Sequence, residues 1–212
     1  MRLLALSTLL VLMGTTTSYG AETKTAVFAA GCFWCVESDF EGHDGVKEVT
    51  SGYAGGHVEN PTYKQVSNGG TGHLEVAQVE YDPDVISYDR LLEIFWANVD
   101  PWDSQGQFCD KGESYKSAIF YTNDDEKTRA EESIAYVEEK IGKPVVTEVK
   151  ELTTFYPAED YHQDYYKKNE TKYKFYRWRC GRDERLNEVW GDDAKKAIEI
   201  FAPQQGSNST EQ

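Results

Sequence analysis

The stretch Thr25-Ala26-Val27-Phe28-Ala29-Ala30-Gly31-Cys32-Phe33-Trp34-Cys35-Val36-Glu37-Ser38-Asp39-Phe40 changes its period at the middle glycine. Residues 25–30 are an unbroken run of small, β-branched and aromatic side chains, which reads as a strand. Residues 32–40 carry apolar side chains at helical spacing, and Gly31 marks the turn between the two. A strand passing through one glycine into a helix is a building unit of folds in which helices cover a sheet.

The alternation continues outward from there. Residues 46–53 read as a second extended run ending at Gly55-Gly56, and 61–66 as a short helix stopped by Asn68-Gly69-Gly70. Residues 74–81 alternate as a strand, and 88–98 place Leu91, Leu92, Phe95 and Trp96 on one helical face. A polar loop at 100–113 precedes a strand at 117–121. An amphipathic helix follows at 124–141, halted by Gly142 and Pro144, and then a strand at 145–152. Beyond Pro157 the pattern predicts short aromatic helices at 158–169 and 183–190 with a turn near 173–178. Tyr161 and Tyr165, four apart, would share a face. The order is that of an α/β or α+β sheet with packed helices.

Two hundred and twelve residues suffice for one sizeable core and require no second large domain. Twenty-two Lys and Arg against 37 Asp and Glu give a net charge of −15, which repels a phosphate backbone and excludes general nucleic-acid binding. Arg2, the apolar stretch 3–13 and Ser18-Tyr19-Gly20 read as a secretory signal at 1–20 cut before Ala21. The apolar stretch is too short to span a bilayer, and no lipid-anchor cysteine follows it. The folded domain then covers 21–202, and the Gln, Ser, Asn and Gly of 203–212 predict a disordered tail. Cleavage also removes Met1 and Met13, the only methionines.

Chemistry concentrates at Gly31-Cys32-Phe33-Trp34-Cys35. A thiol at the first turn of a helix meets free N–H groups and partial positive charge, which favour thiolate, so Cys32 is the candidate nucleophile. Cys35, three residues on, can close a disulfide with it. A static disulfide remains open for an exported chain, and zinc is disfavoured because no second Cys-x-x-Cys accompanies the first. Glu75 falls in phase with Ala77, Val79 and Tyr81 and so faces the more apolar side of its strand, where a desolvated carboxyl keeps its proton. An exposed Glu at the strand's rim is the competing reading.

The motifs Gly31-Cys32-Phe33-Trp34 with Glu37, Gly52-Tyr53-Ala54-Gly55-Gly56, Gly72-His73-Leu74-Glu75-Val76, Asp100-Pro101, Ser114-Tyr115-Lys116-Ser117-Ala118-Ile119 and Ala158-Glu159-Asp160-Tyr161-His162-Gln163 resemble those of the A-type peptide methionine sulfoxide reductases. The resemblance implies a two-layer sandwich, a mixed β-sheet with packed helices, having a ferredoxin-like core and a C-terminal helical extension. It implies reduction of methionine-S-sulfoxide, free or in proteins, through a sulfenic acid and an intramolecular disulfide recycled by a thioredoxin-like reductant. No metal or organic cofactor is required.

Carried onto this sequence, it makes Cys32 the attacking thiolate and Phe33 and Trp34 the pocket for the substrate methyl group. Glu75 becomes the proton donor, Tyr53 and Tyr115 assisting hydroxyls, and Asp100 a further cavity residue. Many members have Gly where Cys35 stands and carry resolving cysteines in a C-terminal tail. Here no Cys follows Cys180, so Cys35 is the expected resolving residue, with Cys180 as the fallback. Val99 stands where a His often precedes the Asp-Pro pair. Cys109 and Cys180 lie in segments similar to a bacterial subgroup and are expected to be close together, or bridged. The expected molecule is an exported, periplasmic or secreted monomer without a membrane anchor.

Two other classes compete with this reading. A thioredoxin-like dithiol oxidoreductase would act on protein disulfides directly, but the cis-proline segment is missing and Phe33-Trp34 does not suit it. A non-catalytic secreted binding module would use the cysteines structurally. Export itself is checked by N-terminal sequencing of protein from the native host: the mature chain should begin near Ala21, and retained Met1 would refute it.

Overall fold

The computed structural model describes residues 23–194 and Ile200; the stretch 1–20 read as a secretory signal, the expected cut before Ala21 and the expected tail at 203–212 fall outside the described residues. In chain order the elements are β1 (Lys24–Ala30), α1 (Phe33–Phe40), β2 (Val46–Ala54), α2 (Tyr63–Ser67), β3 (Leu74–Tyr81) and α3 (Tyr88–Ala97). The two-residue strands β4 (Gly106–Gln107) and β5 (Asp110–Lys111) follow, then β6 (Ser117–Tyr121), α4 (Asp124–Ile141), β7 (Glu148–Glu151) and β8 (Phe155–Pro157). Three helices close the described chain: α5 (Tyr165–Lys168), α6 (Glu170–Arg179) and α7 (Arg182–Trp190).

The main sheet runs β7-β6-β1-β3-β2-β8, with β6 and β7 parallel and every other pair antiparallel. Its middle four strands, with α1 after β1 and α3 after β3, make the ferredoxin-like core that the sequence resemblance implied. Three helices, α2, α3 and α4, start where a side chain meets an orphan amide. The Thr62 hydroxyl accepts from the Gln65 amide, the Ser87 hydroxyl from Arg90, and the Asn123 side chain from Glu126. Gly142, left-handed at φ 71°, ends α4.

One core lies between the sheet and its helices. Phe28 of β1 stacks on Phe40 of α1 at 4.9 Å and on Phe95 of α3 at 5.4 Å. The Trp96 indole donates to the Ser133 hydroxyl at 2.9 Å and ties α3 to α4. The C-terminal helices return to the start of this unit through Arg182, which is 1% exposed. Its guanidinium donates to the carbonyls of Ala30 and Asn98, pairs with Asp39 at 3.1 Å, and lies 4.3 Å over the Phe108 ring. A buried cation placed this way is held by hydrogen bonds on several sides, which buried charge requires.

Five sequence readings change. The polar loop at 100–113 folds into the β4–β5 hairpin, and Phe155–Pro157 adds an edge strand on β2. Residues 158–169 do not form one helix. The Gln163 side chain bonds the backbone of Ser51 and Ala158, and Asp164 turns left-handed at φ 53°, so helix begins only at Tyr165. Tyr161 and Tyr165 therefore do not share a helical face: Tyr161 is exposed and Tyr165 lies on Trp34. Residues 173–178, read as a turn, are the interior of α6.

Gly31 holds φ +84°, and a Cβ there would lie 2.6 Å from the Cβ of Gln107. Gln107 cannot give way freely, because its amide closes two 2.8 Å bonds with the backbone of Asp100. Gly31→Ala should cost about 2 kcal/mol or more, combining left-handed strain with the clash. The check is the urea unfolding midpoint, which falls if the turn is as tight as this and stays put if it is not.

Candidate active site

The turn at Gly31 delivers Cys32 as the N-cap of α1, where its carbonyl accepts from Cys35 and Val36. Side-chain oxygen, the usual cap, is absent, and the Phe33 amide finds its partner across the sheet junction instead: it donates to Glu75 Oε2 at 3.1 Å. Cys32 and Cys35 are both free, buried thiols joined by a hydrogen bond. Burial pushes Cys32 well up, and the bond to Cys35 and the nearby Glu75 and Asp110 push the same way. The thiolate that the helix end alone would favour on Cys32 is therefore not its resting form. Cys35 is pulled below the usual thiol range by the hydrogen bond from Cys32, and Arg182 and Arg177 add to this against burial.

Glu75 is 1% exposed and its carboxyl is raised to about 8, chiefly by burial, against the opposing pull of the Phe33 amide. It holds its proton at neutral pH. Its Oε1 is buried without a hydrogen-bond partner, although Tyr115 stands close enough to influence the group. A protonated carboxyl with one free oxygen can serve an oxygen atom on a ligand. Tyr53 pairs with Glu75 across the β2–β3 ladder, but its hydroxyl is committed to Glu159 Oε2 at 2.9 Å. The Tyr115 and Tyr63 hydroxyls bond one another, and burial raises both.

Asp100 does not belong to this cluster. Its carboxylate pairs with Arg185 at 2.6 Å and caps the Trp102 amide at 3.0 Å, so it serves the turn after α3. The acid that faces the thiols is Asp110, in β5, which is hydrogen-bonded by the Tyr176 hydroxyl, raised by burial, and felt by both Cys32 and Glu75. The sequence signal for it was weak: Asp110 stands five residues before Tyr115 in a polar loop, and only the β4–β5 hairpin turns it inward.

Aromatic rings wall the site. Phe33 is buried against Tyr53, Tyr63 and His162, with centroids at 5.9, 6.3 and 4.9 Å. Half-buried Trp34 stacks on Tyr165 at 3.8 Å, meets the edge of Tyr176 at 6.1 Å, and donates its indole N–H to His162 Nδ1 at 3.1 Å. The loop bearing Glu159 and His162 is pinned by Glu37, whose carboxyl accepts from the Asp164 amide at 2.7 Å and the Ser51 hydroxyl at 3.1 Å. Burial raises Glu37 to about 7. Glu159, His162, Tyr63 and Tyr176 had no assigned role in the sequence, although the first two stand inside a quoted motif.

Cys109 and Cys180 are bridged, with Cα atoms 5.0 Å apart and a sequence separation of 71. Cys180 is thus engaged elsewhere while Cys35 lies one helical turn from Cys32. Glu37, Glu41 and Asp164 could in principle share an ion, but Lys167 already pairs with Glu41 and Asp164.

Comparison with known proteins gives a consistent picture. Residues 24–194 match the family described as peptide methionine sulfoxide reductase. The peptide methionine sulfoxide reductase MsrA/MsrB of Vibrio cholerae is 50% identical over 178 residues, covering 83% of this chain and 47% of that protein, so the chain spans about half of that relative. The MsrA of Bacillus licheniformis is 49% identical over 176 residues, covering 80% of this chain and 95% of that one. Among solved structures, Mxr1 from Saccharomyces cerevisiae in reduced form superposes with a TM-score of 0.67 at 32% identity, covering 76% of this chain and 93% of that one. The same yeast protein in complex with Trx2 gives 0.50 at 25% identity, over 71% and 91%.

The raised carboxyl of Glu75 has a stability consequence. Between about pH 4.5 and 8 the folded chain keeps a proton that the unfolded chain releases, so this group makes stability fall as pH rises through that window. Glu75→Gln removes the loss. Its unfolding free energy should match wild type at pH 4 and exceed it by pH 9, a gap of a few kcal/mol; a difference that does not change with pH across this range would disprove the protonated, buried carboxyl.

Proposed function

The chain belongs to the peptide methionine sulfoxide reductase family and is a methionine sulfoxide reductase, and we propose that it takes the S epimer, free or in peptides, by the following route. A sulfoxide sulfur is a poor electrophile until its oxygen is protonated. Glu75 gives its proton to that oxygen while Cys32 Sγ attacks the sulfur and yields its own proton, which restores Glu75. The S–O bond breaks with loss of water and leaves methionine's sulfur bonded to Cys32 as a sulfonium; a water molecule then attacks Cys32 Sγ, that S–S bond breaks, methionine leaves, a proton is released, and Cys32 is left as a sulfenic acid. The Cys35 sulfur then attacks the Cys32 sulfur and forms the disulfide, the thiol proton of Cys35 joining the expelled hydroxide as water. An external dithiol returns both thiols, so one sulfoxide and two thiols become methionine, one disulfide and water.

One observation carries this reading: Glu75 is buried and protonated, fixed by the amide next to Cys32, and has Oε1 unpartnered. Tyr115 is set to assist at the sulfoxide oxygen, Tyr53 joins it by leaving Glu159, and Asp110 takes the cavity role first given to Asp100. Phe33 and Trp34 receive the methyl group. A thioredoxin-like reductant is supported by the yeast relative solved with Trx2. Export to the periplasm or beyond is supported by the leader-like residues 1–20. A monomer is supported by a site built wholly from one chain. No described helix is long and apolar enough to cross a membrane.

The test is turnover of a methionine sulfoxide peptide with dithiothreitol and then with thioredoxin. Wild type should form methionine with both; absence of methionine would overturn the reading. Cys35→Ser should release one equivalent, leave a trappable sulfenic acid and lose thioredoxin turnover. A Cys32 to Cys180 disulfide as the first product would move the resolving role to Cys180. Glu75→Gln should slow single-turnover reduction by about 10²- to 10⁴-fold, the usual range for a lost general acid.

A further inference from the structure

An indole N–H can only donate, so the 3.1 Å bond from Trp34 Nε1 makes His162 Nδ1 an acceptor. The ring proton then sits on Nε2, and that nitrogen is buried without a hydrogen-bond partner among the described residues. Protonating the ring would place a second hydrogen between two donors and break the bond. His162 holds Trp34 only while it is neutral.

The surroundings favour the neutral ring. Phe33 and Trp34 approach it from α1, Tyr63 from α2 at 4.4 Å, and Tyr161 from its own loop at 4.1 Å between centroids. Glu159 is the charged group that opposes this, and Tyr63 and Tyr161 are the titratable neighbours. Burial prevails over Glu159 and keeps the imidazole below its ordinary value. The indole is thereby clamped on one face by Tyr165 and at its nitrogen by His162, although Trp34 is half exposed. A half-exposed side chain that must receive a ligand loses rotamer freedom on binding unless it is already held.

We propose that His162 is a positioning residue for substrate binding: its neutral Nδ1 pre-sets the Trp34 wall of the methyl pocket, and its protonation releases that wall. This rests on the reductase reading above. Removing the acceptor should act on KM, because the Trp34 wall contacts the substrate before and after the sulfur reacts, while Cys32 and Glu75 are untouched.

Three measurements test it. With a methionine sulfoxide peptide at pH 7.5, where His162 is neutral, His162→Leu should raise KM about fivefold to tenfold and leave kcat within about twofold, and the excess over wild type should shrink toward pH 5. Wild-type KM should rise as pH falls from 7.5 toward 5, whereas His162→Gln, whose amide oxygen accepts at every pH, should keep a flat KM. In ¹⁵N-tryptophan-labelled protein, the Trp34 indole resonance, assigned with Trp34→Phe, should titrate in wild type and not in His162→Gln. The resonance needs no activity and decides the matter even if the Leu variant does not fold. A pH-independent Trp34 resonance in wild type, or a His162→Gln KM profile that follows wild type, overturns the inference while leaving the reductase intact. Loss of wild-type turnover itself would instead overturn the reading beneath it.

Discussion

An amide at the first turn of α1 and a carboxyl near the start of β3 meet at 3.1 Å inside the protein, and the rest of the site is arranged around that contact. Each group alone would be a liability. The helix start lacks a side-chain cap, and a buried carboxyl lacks water. Together they satisfy one oxygen and one N–H, and they fix the distance between the nucleophile's helix and the proton donor's strand. The leftover oxygen is where the fold leaves polar capacity unused, which is the signature of a group kept for a ligand.

The C-terminal third closes this arrangement without adding to the central strands. Glu37 and Gln163 fasten the 158–164 loop to β2, Arg182 plugs the junction behind Ala30, and the Cys109–Cys180 bridge ties the β4–β5 hairpin to the end of α6. The bridge and the Tyr176 hydroxyl bond hold Asp110 from two sides. In a chain-entropy account, a link of 71 residues restricts the unfolded chain by about 4 kcal/mol, comparable to a large share of a domain's stability.

What the sequence showed and concealed follows the range of the forces involved. The strand, the Gly31 turn and the stop at Gly142 depend on neighbours a few residues away, and they were legible. Strand β8 was not, because three residues ending in Pro157 become a strand only by pairing with β2. The 158–164 loop has helix-like aromatic spacing, but Gln163 captures it through the backbone of Ser51, over a hundred residues away. The state of Cys32 reversed for the same reason: the helix-end field is local, whereas burial is a property of the assembled fold. Asp100 drew attention through a motif, yet Arg185, distant in sequence, had claimed its carboxylate.

The bridge joins the last two of four cysteines and leaves the first two, Cys32 and Cys35, as neighbours on one helical turn. A chain threaded through a membrane pore N-terminus first presents its thiols in the order 32, 35, 109, 180. Under that order each cysteine's native partner is the next to emerge or the one just before it. An oxidase that links thiols as they appear would make the working pairs at once, and no crossed bond would need to be undone by an isomerase. Under the export proposed above, consecutive pairing would let both links form in the order in which the thiols emerge, with the reactive pair, free in this structure, next to one another from the outset.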